Sequence, residues 1–277
     1  MTLRIDTHQH FWRFVPEKYD WISAELGVLR RDYAPADLKP ELDRARIDAT
    51  VAVEARGHLE ETESLLRHAA QNAFVRGVVG WLPLMQADVQ RHIELYTQQP
   101  KLKGVRHWMG PANDLDFMTS EALHRGVALL EAAGLTYDLM LWPPQLGVVR
   151  AFVDRHPEQR FVLDHFAKPY IKSAMLEPWG RELRELARRP NVYCKLSGLT
   201  TEADHDSWTI DDLRPYFDVA LEAFGPARLL FGSDWPVCTL ATGYGRWVET
   251  VEALIASCSE EERARIMGGT AVEVYRL

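Results

Sequence analysis

Short apolar runs alternate with stretches whose hydrophobic residues fall three or four apart, and the alternation repeats along the whole chain. Runs of the first kind predict strands, and stretches of the second predict amphipathic helices. The first strand is predicted over 3–5, with Leu3 and Ile5 as strand formers and Asp6 and Thr7 as a polar exit. A long loop follows over 11–33, carrying Trp12, Phe14, Tyr19, Trp21 and Tyr33. A loop that long with no helix of its own is usually functional, often a lid; the plainer reading is that its aromatics pack it onto the domain. A helix is predicted over 35–47, where Leu38, Leu42, Ala45 and Ile47 fall at roughly helical spacing. A strand over 50–54 and a helix over 60–72 come next.

The third strand, 75–82, ends at Pro83, and the helix 88–98 is stopped by Pro100. Strand 102–106 precedes a helix over 120–133, which Gly134 can end with a left-handed cap. Strand 136–141 runs into Trp142-Pro143-Pro144 and a helix reaching 156. Strand 161–163 exits at Asp164 and His165, with its helix over 178–188. Strand 192–196 is followed by a polar loop through Asp211 and a helix to Phe224. Strand 228–231 leaves through Gly232-Ser233-Asp234-Trp235-Pro236, and Ser259 with Glu262 forms a capping-box pattern for the last helix. Eight strands alternating with helices predict an α/β fold, a parallel sheet closed as a single (β/α)8 TIM barrel over 1–277. An open doubly wound sheet would normally carry a Gly-rich turn after its first strand, and this chain has none.

Composition narrows the function classes. A chain of 277 residues suits one barrel, typically about 250 residues long. A net charge of -8 and the absence of a Lys/Arg block argue against a nucleic-acid partner. No apolar run approaches the roughly 18 residues of a membrane span, and no leader pattern opens the chain, so a cytoplasmic protein is expected. Cys194, Cys238 and Cys258 are odd in number and scattered, which predicts free thiols. A homo-oligomer is compatible with all of this.

In a barrel the chemistry gathers where strands end. The residues there are His8 and His10, Glu54, Arg106 with His107, Trp142, His165, Lys195 and Asp234. If the first strand stays extended through Gln9, His8 and His10 share a face and can hold a cation or grip a polarised substrate; otherwise they are polar residues at a fraying end. Asp234 can act as an acid/base group or merely cap a helix. Arg106 can bind sugar hydroxyls or a carbonyl, or neutralise the acidic mouth around Glu54 and Asp234. Trp108, Trp142 and Trp235 follow strand ends, where an indole can cover the C–H face of a sugar or simply pack. Lys168 and Lys195 can bind hydroxyls or form structural ion pairs. His58, His68, His92, His124, His156 and His205 fall on helices or loops and are expected at the surface.

Four motifs carry a resemblance: Asp6-Thr7-His8-Gln9-His10, Leu163-Asp164-His165-Phe166-Ala167-Lys168-Pro169, Lys195-Leu196-Ser197-Gly198-Leu199 and Gly232-Ser233-Asp234-Trp235-Pro236. In this order they resemble the sugar-lactonase branch of the amidohydrolase superfamily, the L-fuconolactonase and L-rhamnonolactonase type. The resemblance implies a hydrolase that opens a small sugar lactone, with His8 and His10 at the barrel mouth, His165 from the sixth strand, and Asp234 as general base and acid. In such a reaction His165, with His8 and His10 or the cation they hold, is expected to stabilise the oxyanion. Glu54, Arg106, His107, Trp108, Trp142, Lys168 and Trp235 are the expected substrate contacts. Superfamily members with two metals usually carry a bridging lysine or glutamate at the end of strand four and a histidine on strand five. Here those strands read Val105-Arg106-His107 and Tyr137-Asp138-Leu139-Met140-Leu141, so a binuclear centre is not expected. One divalent ion on His8, His10 and Asp234, with or without His165, and catalysis without metal both remain open; Zn²⁺ suits the donor set, and no organic cofactor is expected. A decarboxylase and a non-catalytic lactone-binding protein are the rival functions.

Overall fold

The computed structural model describes residues 3–107 and 115–277. Eight strands form one parallel sheet in the order of the chain: β1 (Ile5–Gln9), β2 (Ala49–Val53), β3 (Val75–Gly80), β4 (Leu102–Arg106), β5 (Thr136–Leu139), β6 (Phe161–Leu163), β7 (Val192–Leu196) and β8 (Leu229–Phe231). The seam between β8 and β1 is closed just beyond the strand ends, where Asp234 N donates to the His8 carbonyl and His10 N to the Trp235 carbonyl, each at 2.7 Å. The architecture is the expected (β/α)8 barrel, and its closing hydrogen bonds belong to candidate site residues. No helix among the described residues is long and apolar enough to cross a membrane.

The helices are α1 (Pro35–Ala45), α2 (Leu59–Gln71), α3 (Val89–Tyr96), α4 (Glu121–Ala133), α5 (Leu146–Asp154), α6 (Trp179–Ala187), α7 (Ile210–Phe224), α8 (Tyr244–Leu254), α9 (Glu260–Ala264) and α10 (Thr270–Tyr275). Their apolar faces and the outward strand residues make the larger core. A smaller one fills the barrel, where Ile5, Val51, Val53, Val79, Val162 and Leu230 meet Ala271, Val274 and Tyr275 of α10. The C-terminal helix therefore closes the barrel floor.

Several boundaries differ from expectation. β1 runs on through Asp6, Thr7 and His8, because polar residues are tolerated where the barrel interior becomes a site. Helix α8 was not among the expected elements, although Tyr244, Trp247, Val248, Val251 and Leu254 fall on one buried face; Gly243 at its N-cap offers no capping side chain. The last helical stretch is broken in two by a π-helical turn over Arg265–Gly269. There a Cβ on Gly268 would stand 1.8 Å from the Leu3 carbonyl, so only glycine fits. The aromatic loop packs down as the plainer reading held. Trp12 and Tyr33 pair through their backbones and are buried with Tyr19, while Trp21 is exposed. Gly134 is left-handed as expected, at φ 70°. The capping box of Ser259 and Glu262 is formed, and the three cysteines are buried free thiols.

The surface placement expected of His124 and His156 is corrected. The two rings are buried, stacked and joined by a 2.8 Å bond between His124 Nδ1 and His156 Nε2, against Phe152. His124 falls on the core-facing stripe of α4 with Val127 and Leu130. Burial, with the charges of His124 and Arg155, pushes His156 down to about 4 from 6.5. As pH falls below 6.5 the unfolded chain takes up a proton that the folded chain refuses until about 4, so this pair withdraws stability across that window. Urea unfolding at pH 7 and 4.5 is expected to show His156→Gln losing roughly 1–2 kcal/mol less than the parent, after discounting for solvent screening. Equal losses would remove the pair from the acid response.

Candidate active site

The mouth of the barrel is shaped by local departures from regular strand. The pairing of β1 with β2 slips between Asp6 and Gln9, so that Ile5 and His8, three residues apart, both face inward. Asp6 is thereby turned toward α8, where it accepts from Ser233 N, Ser233 Oγ and Tyr244 Oη at 2.9, 2.6 and 3.0 Å, and from His8 N. It ties the start of the site to the exit of β8. Burial pushes Asp6 up to about 6, against those hydrogen bonds.

At the exit of β8 a Cβ on Gly232 would come within 2.9 Å of His8 Cβ, and Asp234 sits at φ 59°. This left-handed turn brings the Asp234 carboxylate back over β1. At the exit of β6 four successive non-glycine residues, His165 to Lys168, have φ between 52° and 56°. Such turns cost on the order of 1–2 kcal/mol per residue, and surrounding structure must hold them. Trp179 Nε1 does so by donating to the Phe166 carbonyl at 2.6 Å, and Gly198 leaves room for the His165 ring.

Three rings converge on one oxygen. Asp234 Oδ1 lies 3.2 Å from His10 Nε2, 3.7 Å from His8 Nε2 and 3.9 Å from His165 Nε2. Each ring is held through its other nitrogen: His10 Nδ1 by the Val53 carbonyl at 2.8 Å, His165 Nδ1 by Ser197 Oγ at 2.9 Å, and His8 Nδ1 beside Asp164 and Lys195. A carbonyl only accepts, so His10 carries an N–H on Nδ1, and in the neutral ring its Nε2 lone pair faces Asp234. Two acceptors 3.2 Å apart suit a cation between them. Ligands about 2.1 Å from one tetrahedral ion stand roughly 3.4 Å from each other, close to the separations seen. His8, His10 and Asp234 thus could hold a divalent ion, and His8, Asp164 and His165 form a second such group beside it.

The charges beneath support the same fit. Glu54, Asp138, Asp164 and Asp234 are four buried carboxylates, while Arg106 and Lys195 are the buried cations among them. Burial disfavours the charge on Asp234, but His165, His10 and His8 outweigh it and hold the carboxyl below its usual range. Asp164 is likewise held low, against burial, by Lys195, His8 and Arg106. Burial pushes Asp138 up against the pull of Lys195. His8 is pushed well down by burial, and His165 to about 4 by the same cause, so both rings are neutral near pH 7. An excess of buried carboxylate surrounded by neutral imidazoles favours a cation.

Of the expected substrate contacts, Arg106 has its donors taken up inside the site. It donates from Nε to Glu54 Oε1 at 2.8 Å, from Nη1 to Asp164 Oδ2 at 3.1 Å, and from Nη2 to the Glu54 carbonyl. The reading of Arg106 as neutralising the acidic mouth matches this geometry, although its second partner is Asp164 and not Asp234. His107 is stacked between Trp81 and Phe117, and Trp142 is half-buried at the exit of β5. Lys168 pairs with Glu202 at 2.7 Å. Trp235 is only 4% exposed, packed edge-on against Phe11 and Tyr33 and lining the cleft between α1 and α8, so packing accounts for its ring. Trp108 lies outside the described residues. Asp138 and Asp164 were not among the expected site residues. Asp164 stood beside His165 in a matched motif, but Asp138 gave no signal beyond a lone charge inside an apolar strand.

Comparison with known proteins adds to this geometry. The model of the family described as Amidohydrolase matches residues 5–277. An L-fucono-1,5-lactonase of Burkholderia multivorans is 42% identical over 99% of this chain and 96% of its own length. Another, from Burkholderia ambifaria, is 38% identical over 100% and 97%. A solved amidohydrolase structure from Burkholderia multivorans, described with bound zinc, superposes with a TM-score of 0.96 at 42% identity, covering 99% of both chains.

Proposed function

Since the chain belongs to the amidohydrolase family, we propose that it hydrolyses a sugar lactone of the L-fuconolactone kind by attack of water on the ring ester carbonyl. The observation that carries this reading is the convergence of three imidazole Nε2 atoms on the Asp234 carboxylate at the barrel mouth. Asp234, ionised and faced by the rings through Oδ1, takes the proton from water through its other oxygen and later returns it to the leaving ring oxygen. With Ser197 donating to Nδ1, the neutral His165 ring carries its N–H on Nε2, where it donates to the negative charge building on the carbonyl oxygen. Arg106 acts by holding Glu54 and Asp164 in place, while His107 and Trp142 meet the sugar at the rim. Zn²⁺ on His8, His10 and Asp234 would supply Lewis-acid polarisation of the carbonyl.

The test is a panel of L- and D-aldonolactones followed with a pH-indicator dye, since ring opening releases a proton. The protein is assayed as isolated, after chelation, and after return of Zn²⁺. Turnover of an L-fucono- or L-rhamnono-lactone, lost on chelation and regained with Zn²⁺, is the expected result. Turnover indifferent to chelator would keep the lactonase and remove the metal from the reaction. No turnover from any preparation would sink the reading, and carbon dioxide release would then identify a decarboxylase.

A further inference from the structure

The floor of the barrel reaches the site through a chain of buried polar groups that starts at the C-terminal helix. Tyr275, the last residue of α10, is buried, and its hydroxyl donates to Asp138 Oδ2 at 2.8 Å. The same oxygen receives Lys195 Nζ at 2.5 Å, and Asp138 Oδ1 receives Thr136 Oγ1 at 3.3 Å. Lys195 is fully buried and lies 5.6 Å from the centre of the Tyr275 ring. Its other two neighbours are Asp164 Oδ1 at 3.0 Å and His8 Nδ1 at 3.2 Å. An ammonium has three N–H donors, so the position of Lys195 decides what His8 meets.

His8 stands between two cations. Lys195 Nζ faces Nδ1, and Arg106 Nη1 faces Nε2 at 3.3 Å. A neutral imidazole has one N–H and one lone pair, so it cannot accept from both. Asp164 Oδ1 has Lys195 Nζ at 3.0 Å and His8 Nδ1 at 3.3 Å, neither aligned as a hydrogen bond; with Lys195 bonded to Asp138, an N–H on His8 Nδ1 supplies the donor that a buried carboxylate oxygen calls for. With the His8 N–H on Nδ1 toward Asp164, the Nε2 lone pair accepts from Arg106 or faces the Asp234 side. Lys195 Nζ stands 3.2 Å from Nδ1, so that arrangement requires its N–H groups to be directed at the carboxylates, and Asp138 holds the shortest of its three contacts.

Resting on the hydrolytic reading above, we infer that Tyr275 is a positioning residue of the site: its hydroxyl orients Asp138, Asp138 holds Lys195, and Lys195 thereby leaves His8 with its N–H on Nδ1 and its Nε2 lone pair toward Asp234. No part of Tyr275 touches a reacting group. Its ring, by contrast, is ordinary floor packing, which Phe would preserve.

The test compares Tyr275→Phe, Asp138→Asn and the double variant with the parent. Tyr275→Phe is expected to lower kcat about 10-fold with KM within about 2-fold, and to weaken Zn²⁺ binding, titrated calorimetrically with the metal alone, by about 10-fold, as loss of outer support does in other sites. The ¹⁵N spectrum of His8 should lose its protonated Nδ1 signal. Asp138→Asn should repeat these changes, and the double variant should add little to it. A Tyr275→Phe protein with parental kcat, Zn²⁺ affinity and His8 spectrum overturns the inference, even if its Tm falls; if it does not fold, Asp138→Asn decides by the same three readouts. If the parent itself opens no lactone, the functional reading fails, and the His8 spectrum and Zn²⁺ titration still decide this one.

Discussion

Asp234→Asn is expected to keep the fold and lower kcat by about 10³-fold, within the range typical of a lost general base. Asparagine has nearly the same shape and tolerates the left-handed backbone at φ 59° better than most residues. Its amide can donate to the His10 Nε2 lone pair that the carboxylate oxygen now faces at 3.2 Å. What it cannot do is accept a proton from water. KM should therefore move by no more than a few-fold while kcat collapses, and the melting temperature should stay within a few degrees of the parent. Activity within 10-fold of the parent would take Asp234 out of the reaction. A fall in kcat that added Zn²⁺ restored would make Asp234 a ligand without a base role.

The architecture was legible because a parallel barrel repeats one instruction eight times. Apolar strand cores such as Val51 to Val53 and Phe161 to Leu163, each followed by helical spacing, are local signals. So was the mouth of the site: His8 and His10 come within five residues of Ile5, His165 two after Leu163 and Asp234 three after Phe231, at the strand exits where a barrel puts its chemistry. What was hidden depends on pairing across the chain. Lys195 and Asp138 are 57 residues apart. Nothing local marks Asp138 as the buried partner of that lysine. The strand slip at Asp6 was hidden for another reason, since polar residues inside a strand read as its end. The burial of His124 was available in principle, because it shares the helical stripe of Val127. Its partner His156 lies just past the end of α5, where no periodicity assigns a face.

Lys195→Met should show how much the layer beneath the site depends on that one ammonium. The residue is fully buried and pairs with both Asp138 and Asp164. Removing one member of a buried ion-paired group leaves the others charged without a partner, which costs about 3–5 kcal/mol. For a chain of this size that lowers the melting temperature by on the order of 10 °C. Asp164 retains Arg106 at 3.1 Å, so Asp138 bears most of the loss. Already pushed up by burial, Asp138 would rise further without the cation and bind a proton in the folded variant at a pH where the unfolded chain binds none. The folded variant then holds more protons than the unfolded one, and its deficit against the parent should shrink as pH falls from 8 to 5.5. Changing Asp138 to Leu in the same protein removes the unpaired charge and should recover much of the stability, because matched removal of a buried pair is often close to neutral. Activity should not recover, since the buried cation that holds Asp164 is still missing. A single variant as stable as the parent at pH 8, or a double variant no more stable than the single, would mean that the Lys195–Asp138 pair carries little of the strain assigned to it.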